Sequence, residues 1–263
     1  MRIATVSLDQ IWENKGENLT LCQTYIEKAS KEAMDLIIFP EMTLTGFSTN
    51  IDAIKEDEKR SETIASFQKL AKQYKVAIIF GIVISDRTKA LNKGIFIDEY
   101  GNILNTYSKI HPFSFAGEDQ YFNHGTTLNT VDFKNHKIGL TICYDLRFPE
   151  LYSILAKQCD IIINIANWPK KRIDHWNTLL KARAIENQLY IIGVNRTGID
   201  GNKLEYEESS YIFNANGEKI QYTQKELMKF FNIHKEWTID FKHQFSTIQD
   251  RNEKLYKELL DAY

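Results

Sequence analysis

Five short blocks of Ile, Val and Leu punctuate the first two thirds of this chain, at 35–39, 76–84, 138–143, 160–165 and 190–194. Each block is nearly continuous rather than alternating, so each predicts a strand covered on both faces. The segments between them follow a different period. Leu19, Cys22, Ile26, Ala29 and Ala33 recur at three- and four-residue spacing, which predicts a helix with a single apolar stripe. The run 178–187, Thr-Leu-Leu-Lys-Ala-Arg-Ala-Ile-Glu-Asn, predicts another. Strands that need cover on both faces, alternating with helices that have one face to bury, predict a layered α/β domain. Further on, 210–213 and 219–222 flank Asn214-Ala215-Asn216-Gly217-Glu218, a pattern that predicts a hairpin with glycine in its turn. No linker, repeat or low-complexity tract divides the chain, so one domain is expected over 1–263. The charged tail from about residue 225, with Phe241 and Phe245 among polar neighbours, is expected to pack on the body or on a partner subunit.

Composition narrows the function classes. A chain of 263 residues, 43% of them hydrophobic, can bury one large core. A formal charge of −2 gives no basic face for nucleic acid. No apolar run approaches the roughly 20 residues that cross a bilayer, and the N-terminus lacks a secretory leader pattern. Three cysteines, an odd and sparse set, argue against a disulfide framework and fit a reducing, cytoplasmic setting. The six histidines show neither of the His-Glu spacings of zinc hydrolases. There is no Gly-x-Ser-x-Gly elbow and no dinucleotide or phosphate loop, so neither metal nor cofactor is expected.

The four prolines fall beside reactive residue types: Pro40 before Glu41, Pro112 after Lys109, Pro149 after Cys143, and Pro169 after Asn167-Trp168. Proline stiffens the loop where a strand ends. Cys143 ends one apolar block and enters the polar run Tyr144-Asp145-Leu146-Arg147-Phe148-Pro149, where open α/β sheets place their reactive groups. Cys22 and Cys159 sit within apolar patterns and are expected in the core. Glu41, emerging from a buried block among apolar neighbours, is a candidate general base. Lys109 is a candidate cation for a thiolate or an oxyanion, and Glu118 lies in Gly117-Glu118-Asp119-Gln120. Each also has an ordinary reading taken singly: strand-end cysteine, helix cap, solvated lysine.

Taken together, these segments resemble the carbon–nitrogen hydrolase (nitrilase) superfamily, whose Glu-Lys-Cys triad falls in this chain order. The resemblance is most specific to bacterial omega-amidases. It rests on Ile38-Phe39-Pro40-Glu41-Met42 with Thr45-Gly46-Phe47-Ser48, on Phe115-Ala116-Gly117-Glu118, and on Cys143-Tyr144-Asp145-Leu146-Arg147-Phe148-Pro149. Ala166-Asn167-Trp168-Pro169, Arg183-Ala184-Ile185-Glu186-Asn187-Gln188 and Asn195-Arg196-Thr197-Gly198 complete it. The tail Phe241-Lys242-His243-Gln244-Phe245-Ser246 departs from it, with serine where proline is expected.

That resemblance implies a four-layer α-β-β-α sandwich, paired through a helical layer into a homodimer or larger assembly. It implies Cys143 as nucleophile, Glu41 as base, Lys109 and the Tyr144 backbone amide as oxyanion partners, and Glu118 as a support for Lys109 or the substrate nitrogen. The implied substrates are the terminal amides of 2-oxoglutaramate and 2-oxosuccinamate. Such a substrate carries one carboxylate, for which Arg172 is the first candidate and Arg147 the second. Phe115, Trp168 and Trp176 are candidate apolar walls. The same triad would serve a nitrilase or an N-carbamoyl amino acid amidohydrolase. A catalytically silent binding member is disfavoured because all four polar positions are intact.

Overall fold

Alternation along three N-terminal strands fixes the layering. In β1 (Arg2–Val6), β2 (Leu36–Ile38) and β3 (Ala77–Asp86), residues Ile3, Leu36, Ile38, Ala77 and Ile79 enter one core. Their neighbours Ala4, Val6, Ile37, Ile78 and Phe80 enter another. Side chains on a strand point alternately to opposite faces, so this sheet is covered twice. Helices α1 (Lys15–Lys31), the one-turn α2 (Ile51–Ile54) and α3 (Glu62–Tyr74) follow in this part of the chain. From α1 and α3, Cys22, Ile26, Phe67 and Leu70 close the outer core. Asn14 and Ser61 cap those two helices, each side chain accepting a backbone N–H of the first turn.

The structure, a computed structural model, describes residues 1–262. After β3 the chain turns back through β4 (Lys89–Ile97) and β5 (Ile103–Ser108), both antiparallel to their neighbours. The one-turn α4 (Glu118–Tyr121) precedes the second sheet. There β6 (Thr130–Phe133), β7 (His136–Ile142), β8 (Ile161–Ala166) and β9 (Tyr190–Asn195) lie in order, with β7, β8 and β9 parallel. Ile138, Leu140, Ile163 and Ile165 share the inner core with the first sheet. Helices α5 (Pro149–Leu155) and α6 (Ile173–Asn187) cover the outer face through Leu151, Tyr152, Trp176, Leu180 and Ala184. The architecture is therefore helices, sheet, sheet, helices: the α-β-β-α sandwich.

One expectation about the last third, the tail from about residue 225, needs correction. The strands β10 (Gly198–Ile199) and β11 (Glu205–Tyr206) form a small separate ribbon. The hairpin expected over 210–222 is present but short: the Ile220 amide donates to the Ile212 carbonyl and the Asn214 amide to the Glu218 carbonyl around a turn with Gly217 at φ 74°, while β12 (Tyr211–Phe213) also joins β9. The chain then leaves for the first sheet as β13 (Tyr222–Lys225), pairing with β14 (Met228–Asn232). Because β14 lies against β1 in antiparallel register, the residues just past 225 are interior to the first sheet. Only α7 (Lys235–Gln244) and α8 (Glu253–Ala262) are appended. Trp237 of α7 packs on Tyr190, while α8 exposes Leu255, Tyr256, Leu259 and Leu260. Among the described residues, no helix is long and apolar enough to cross a membrane.

Candidate active site

Parallel strands bring their carboxyl ends to a common rim. In the first sheet, the parallel run β1–β2–β3 delivers Glu41 three residues after β2. In the second, β7 and β8 deliver Cys143 and Asn167 side by side. The two rims meet, and the turns that carry them are held in uncommon conformations. Cys143 sits at φ 47° and Met42 at φ 45°, left-handed values that cost a non-glycine residue about 1–3 kcal/mol each. Dense hydrogen bonding opposes that cost. Gln10 Nε2 donates to the carbonyls of Glu41, Met42 and Thr43 at 2.9, 3.0 and 3.2 Å. Asp145 accepts from the Ile142 amide (3.0 Å) and the Tyr107 hydroxyl (2.8 Å), and also from the His111 amide (3.0 Å), which ties the cysteine turn to the loop bearing Lys109.

At the seam lies a buried cluster of one cation and two carboxylates. Lys109 Nζ is 3.0 Å from Glu41 Oε1 and 2.7 Å from Glu118 Oε2, and all three side chains are essentially inaccessible. Burial alone would lower the affinity of Lys109 for its proton. The Glu118 and Glu41 carboxylates overcome that and hold it above the ordinary lysine range, so Lys109 stays an ammonium. The expected apolar surroundings of Glu41 are not what the structure contains. Its carboxylate is ringed by donors: Lys109 Nζ, Asn92 Nδ2 at 2.7 Å and the Asn167 amide at 2.9 Å. Glu118 also accepts from the Phe113 amide at 2.5 Å, a second anchor to the loop after Lys109.

The Cys143 thiol lies 4.0 Å from the Asn167 carbonyl. Burial pushes it well above the ordinary thiol range, and Glu41 adds to the shift while Lys109 opposes it. A thiol so placed is protonated at rest, and any use of it as a nucleophile would require a base. It opens into a cavity of about 60 Å³, whose walls include Tyr144, Arg147, Trp168 and Arg172. Arg147 stacks over Trp168 at 4.8 Å and Arg172 lies over Phe113 at 5.4 Å. Neither guanidinium forms a salt bridge with a described residue.

Two expected wall residues are elsewhere. Phe115 is 86% exposed, because the short turn Ser114–Ala116 points it outward, and Phe113 lines the cavity instead. Trp176 is wholly buried on the inner stripe of α6, its Nε1 donating to the Ser209 carbonyl at 2.9 Å. Sequence reasoning assigned no role to Asn92, Asn167, Phe47 or Tyr206, all of which reach the cluster or the cavity. The signal available for Asn167 was its place at the end of an apolar block, beside Trp168 and Pro169.

A fold of two face-packed sheets with a Glu-Lys-Cys cluster at their seam defines a class of hydrolase, and comparison with known proteins agrees. The chain belongs to the carbon–nitrogen hydrolase family, whose model matches residues 2–227. A Staphylococcus aureus protein named "Hydrolase in agr operon" is 32% identical over 84% of this chain and 85% of its own length. The omega-amidase YafV of Yersinia enterocolitica is 33% identical over 83% of each chain. Among solved structures, XC1258 from Xanthomonas campestris is a CN-hydrolase superfamily protein with an arsenic adduct in its active site. It superposes with a TM-score of 0.88 at 27% identity, covering 96% of this chain and 97% of its own.

Proposed function

We propose that this enzyme hydrolyses the terminal amide of small 2-oxo dicarboxylic acid monoamides, such as 2-oxoglutaramate and 2-oxosuccinamate, to the 2-oxo acid and ammonia. The observation that carries the reading is one cavity combining the Cys143 thiol with two guanidiniums, Arg147 and Arg172, that no described carboxylate neutralises. A substrate with an amide at one end and a carboxylate at the other matches both. The omega-amidase among the relatives supports the same substrate class.

In this mechanism Glu41 takes the thiol proton as sulfur bonds to the amide carbon. The carbonyl electrons move to oxygen, and Lys109 and the Tyr144 amide stabilise that oxyanion. Lys109 acts as a fixed charge rather than a proton donor, since its neighbours hold its proton. The proton on Glu41 passes to the departing nitrogen, ammonia leaves, and a Cys143 thioester remains. Glu41 then takes a proton from water, hydroxide adds to the thioester, and the collapsing intermediate expels sulfur, which recovers the proton. Glu118 holds Lys109 in place throughout. Arg172 binds the substrate carboxylate, with Arg147 as a second cation and Trp168 as an apolar wall.

Ammonia release from a panel of a 2-oxo monoamide, its non-oxo counterpart, a nitrile and an N-carbamoyl amino acid tests the assignment. The expected result is highest kcat/KM on the 2-oxo monoamide and none in Cys143→Ala. A preference for the nitrile or the carbamoyl compound would overturn the substrate class. We further assign the protein to a reducing cytoplasm, which suits three unpaired cysteines. We also propose a homodimer, supported by apolar side chains left exposed on the α5–α6–α8 side, Ile154, Ile185, Leu259 and Leu260. Sedimentation at micromolar concentration tests the dimer, and a monomer would refute it.

A further inference from the structure

We infer that Asn92 is a positioning residue that selects which oxygen of Glu41 accepts the Cys143 proton. The inference rests on the proposed Glu41–Cys143 proton transfer and goes beyond it, because it assigns the transfer to one atom and gives the reason.

Asn92 lies on β4, paired with Val83 of β3, and is 1% exposed. It touches every charged member of the cluster. Its backbone carbonyl accepts from the Lys109 amide at 2.9 Å. Its Nδ2 donates to Glu41 Oε1 at 2.7 Å and to Glu118 Oε1 at 3.1 Å. Lys109 Nζ reaches the same two oxygens, each at 3.0 Å. Two donors and two acceptors therefore alternate around a closed ring.

The ring makes the two oxygens of Glu41 unequal. A carboxylate oxygen offers about two lone-pair sites. Oε1 accepts from Lys109 and from Asn92, so it is saturated. Oε2 accepts from the Asn167 amide alone, at 2.9 Å, and keeps one site open. The Asn167 carbonyl lies 4.0 Å from the Cys143 sulfur, and the thiol is within hydrogen-bonding reach of the Glu41 carboxylate, so with Oε1 saturated Oε2 is the oxygen left to take its proton. The thiol proton thus goes to Oε2, sulfur bonds to the amide carbon, and Oε2 later returns the proton to the leaving nitrogen. No reactant beyond the amide and water is needed.

The residue type follows from the same accounting. Aspartate here would set a third carboxylate against a single ammonium. Alanine would leave a site on Oε1 open, so that the proton is divided between two oxygens of which one faces sulfur. The orientation of the amide is fixed by the carboxylates themselves, since its Oδ1 has no hydrogen-bond partner among the described residues. The charged and titratable groups facing Glu41 are Lys109 and Glu118 from the segments after β5, and the Cys143 thiol from the β7 turn. Tyr206, Arg147 and Arg172 stand farther out on the cavity wall.

The test compares Asn92→Ala with wild type in two pH profiles, one of kcat/KM on the preferred amide and one of Cys143 alkylation by iodoacetamide. Peptide mapping separates Cys143 from Cys22 and Cys159. Loss of a donor to the charged form raises the proton affinity of the base, so the acidic limb of both profiles is expected to move up by about one pH unit or more. Turnover is expected to fall about 10- to 100-fold. KM should stay within about threefold, because Asn92 is not part of the cavity wall. Asn92→Ser, which keeps a donor, should restore part of the shift and carries the same comparison if the alanine variant does not fold. Acidic limbs that coincide with wild type would overturn the inference, however slow the variant, since a merely structural role reduces the number of working sites without moving the limb. If wild type releases no ammonia from any amide while the alkylation limb still moves, the substrate reading falls and the inference stands.

Discussion

A single methyl group on Gly81 should disable the enzyme without touching a functional side chain. A Cβ at this position would lie 2.3 Å from the Met42 nitrogen and 2.8 Å from the Glu41 Cα. Ordinary contact begins near 3.4 Å, so the Glu41–Met42 turn must retreat by about 1 Å. It has nowhere easy to go, because Gln10 holds three of its carbonyls and Asn167 Nδ2 holds the Glu41 carbonyl at 2.6 Å. A displacement of about 1 Å at a reacting group can cost on the order of 100-fold in rate. Overpacking of this kind also costs about 1–3 kcal/mol of stability. The control is Gly94, which faces Gly81 across the β3–β4 ladder. A Cβ there meets only the methyl ends of Ile165, Ile142 and Leu140, at 3.7, 3.8 and 3.9 Å. Steady-state kcat/KM and urea midpoints for Gly81→Ala and Gly94→Ala should therefore diverge, with loss in the first and near-wild-type values in the second. Equal activity in both variants would show that backbone approach at β3 does not set the working position of Glu41.

Lys109→Met leaves two buried carboxylates without their cation, and should cost about 3–5 kcal/mol of stability at pH 8, eased at pH 5 by proton uptake. Urea melts at the two pH values check this, and a loss that does not ease on acidification counts against it. Arg172→Met should raise KM for a 2-oxo monoamide by about 10-fold or more, with little effect on an uncharged amide of the same length. An equal rise for both amides refutes a carboxylate contact. The thiol of Cys159, burial raising it first and Asp160 second, is pushed up to about 12 from 9.0. Its contribution is fully present below pH 9 and is lost as pH rises from 9 to about 12. At pH 10 the loss is about 1.4 kcal/mol. Cys159→Ala should therefore lose about that much less stability than wild type between pH 8 and pH 10. Parallel stability curves would exclude this thiol as a cause.

Strands buried on both faces announce themselves as unbroken apolar blocks, which is why β2, β3, β7, β8 and β9 were legible in the residues alone. β4 was not, because Asn92, Lys93 and Gly94 interrupt it, and these are the positions where the strand serves the charged cluster or makes room at the seam. β14 was hidden for another reason. Its partner β1 lies more than 200 residues away in sequence, and no local pattern reports a pairing of that range. Within the site, Glu41, Lys109, Glu118 and Cys143 could be placed because each sits in a distinctive motif. Phe115 could not, since a one-turn 3₁₀ segment sends it outward where an extended chain would not. Trp176 was readable in principle: Trp176, Leu180 and Ala184 recur every four residues, the period of a helix face turned to a sheet.

The site also explains why so much of the chain must be in place before it can work. Glu41, Asn92 and Lys109 belong to the first sheet and its connections, while Cys143 and Asn167 belong to the second. Asn167 joins the two directly, donating its amide N–H to Glu41 Oε2 and its side-chain Nδ2 to the Glu41 carbonyl. A slip of one residue in the pairing of β8 would turn every side chain in that strand to the opposite face. It would carry Ile163 and Ile165 out of the inner core together with the Asn167 contacts. The apolar register that docks the sheets is thus the same register that holds the Glu41 carboxylate beside the Cys143 turn. Substitutions in the inner core that loosen sheet docking should therefore reduce turnover ahead of any gross unfolding.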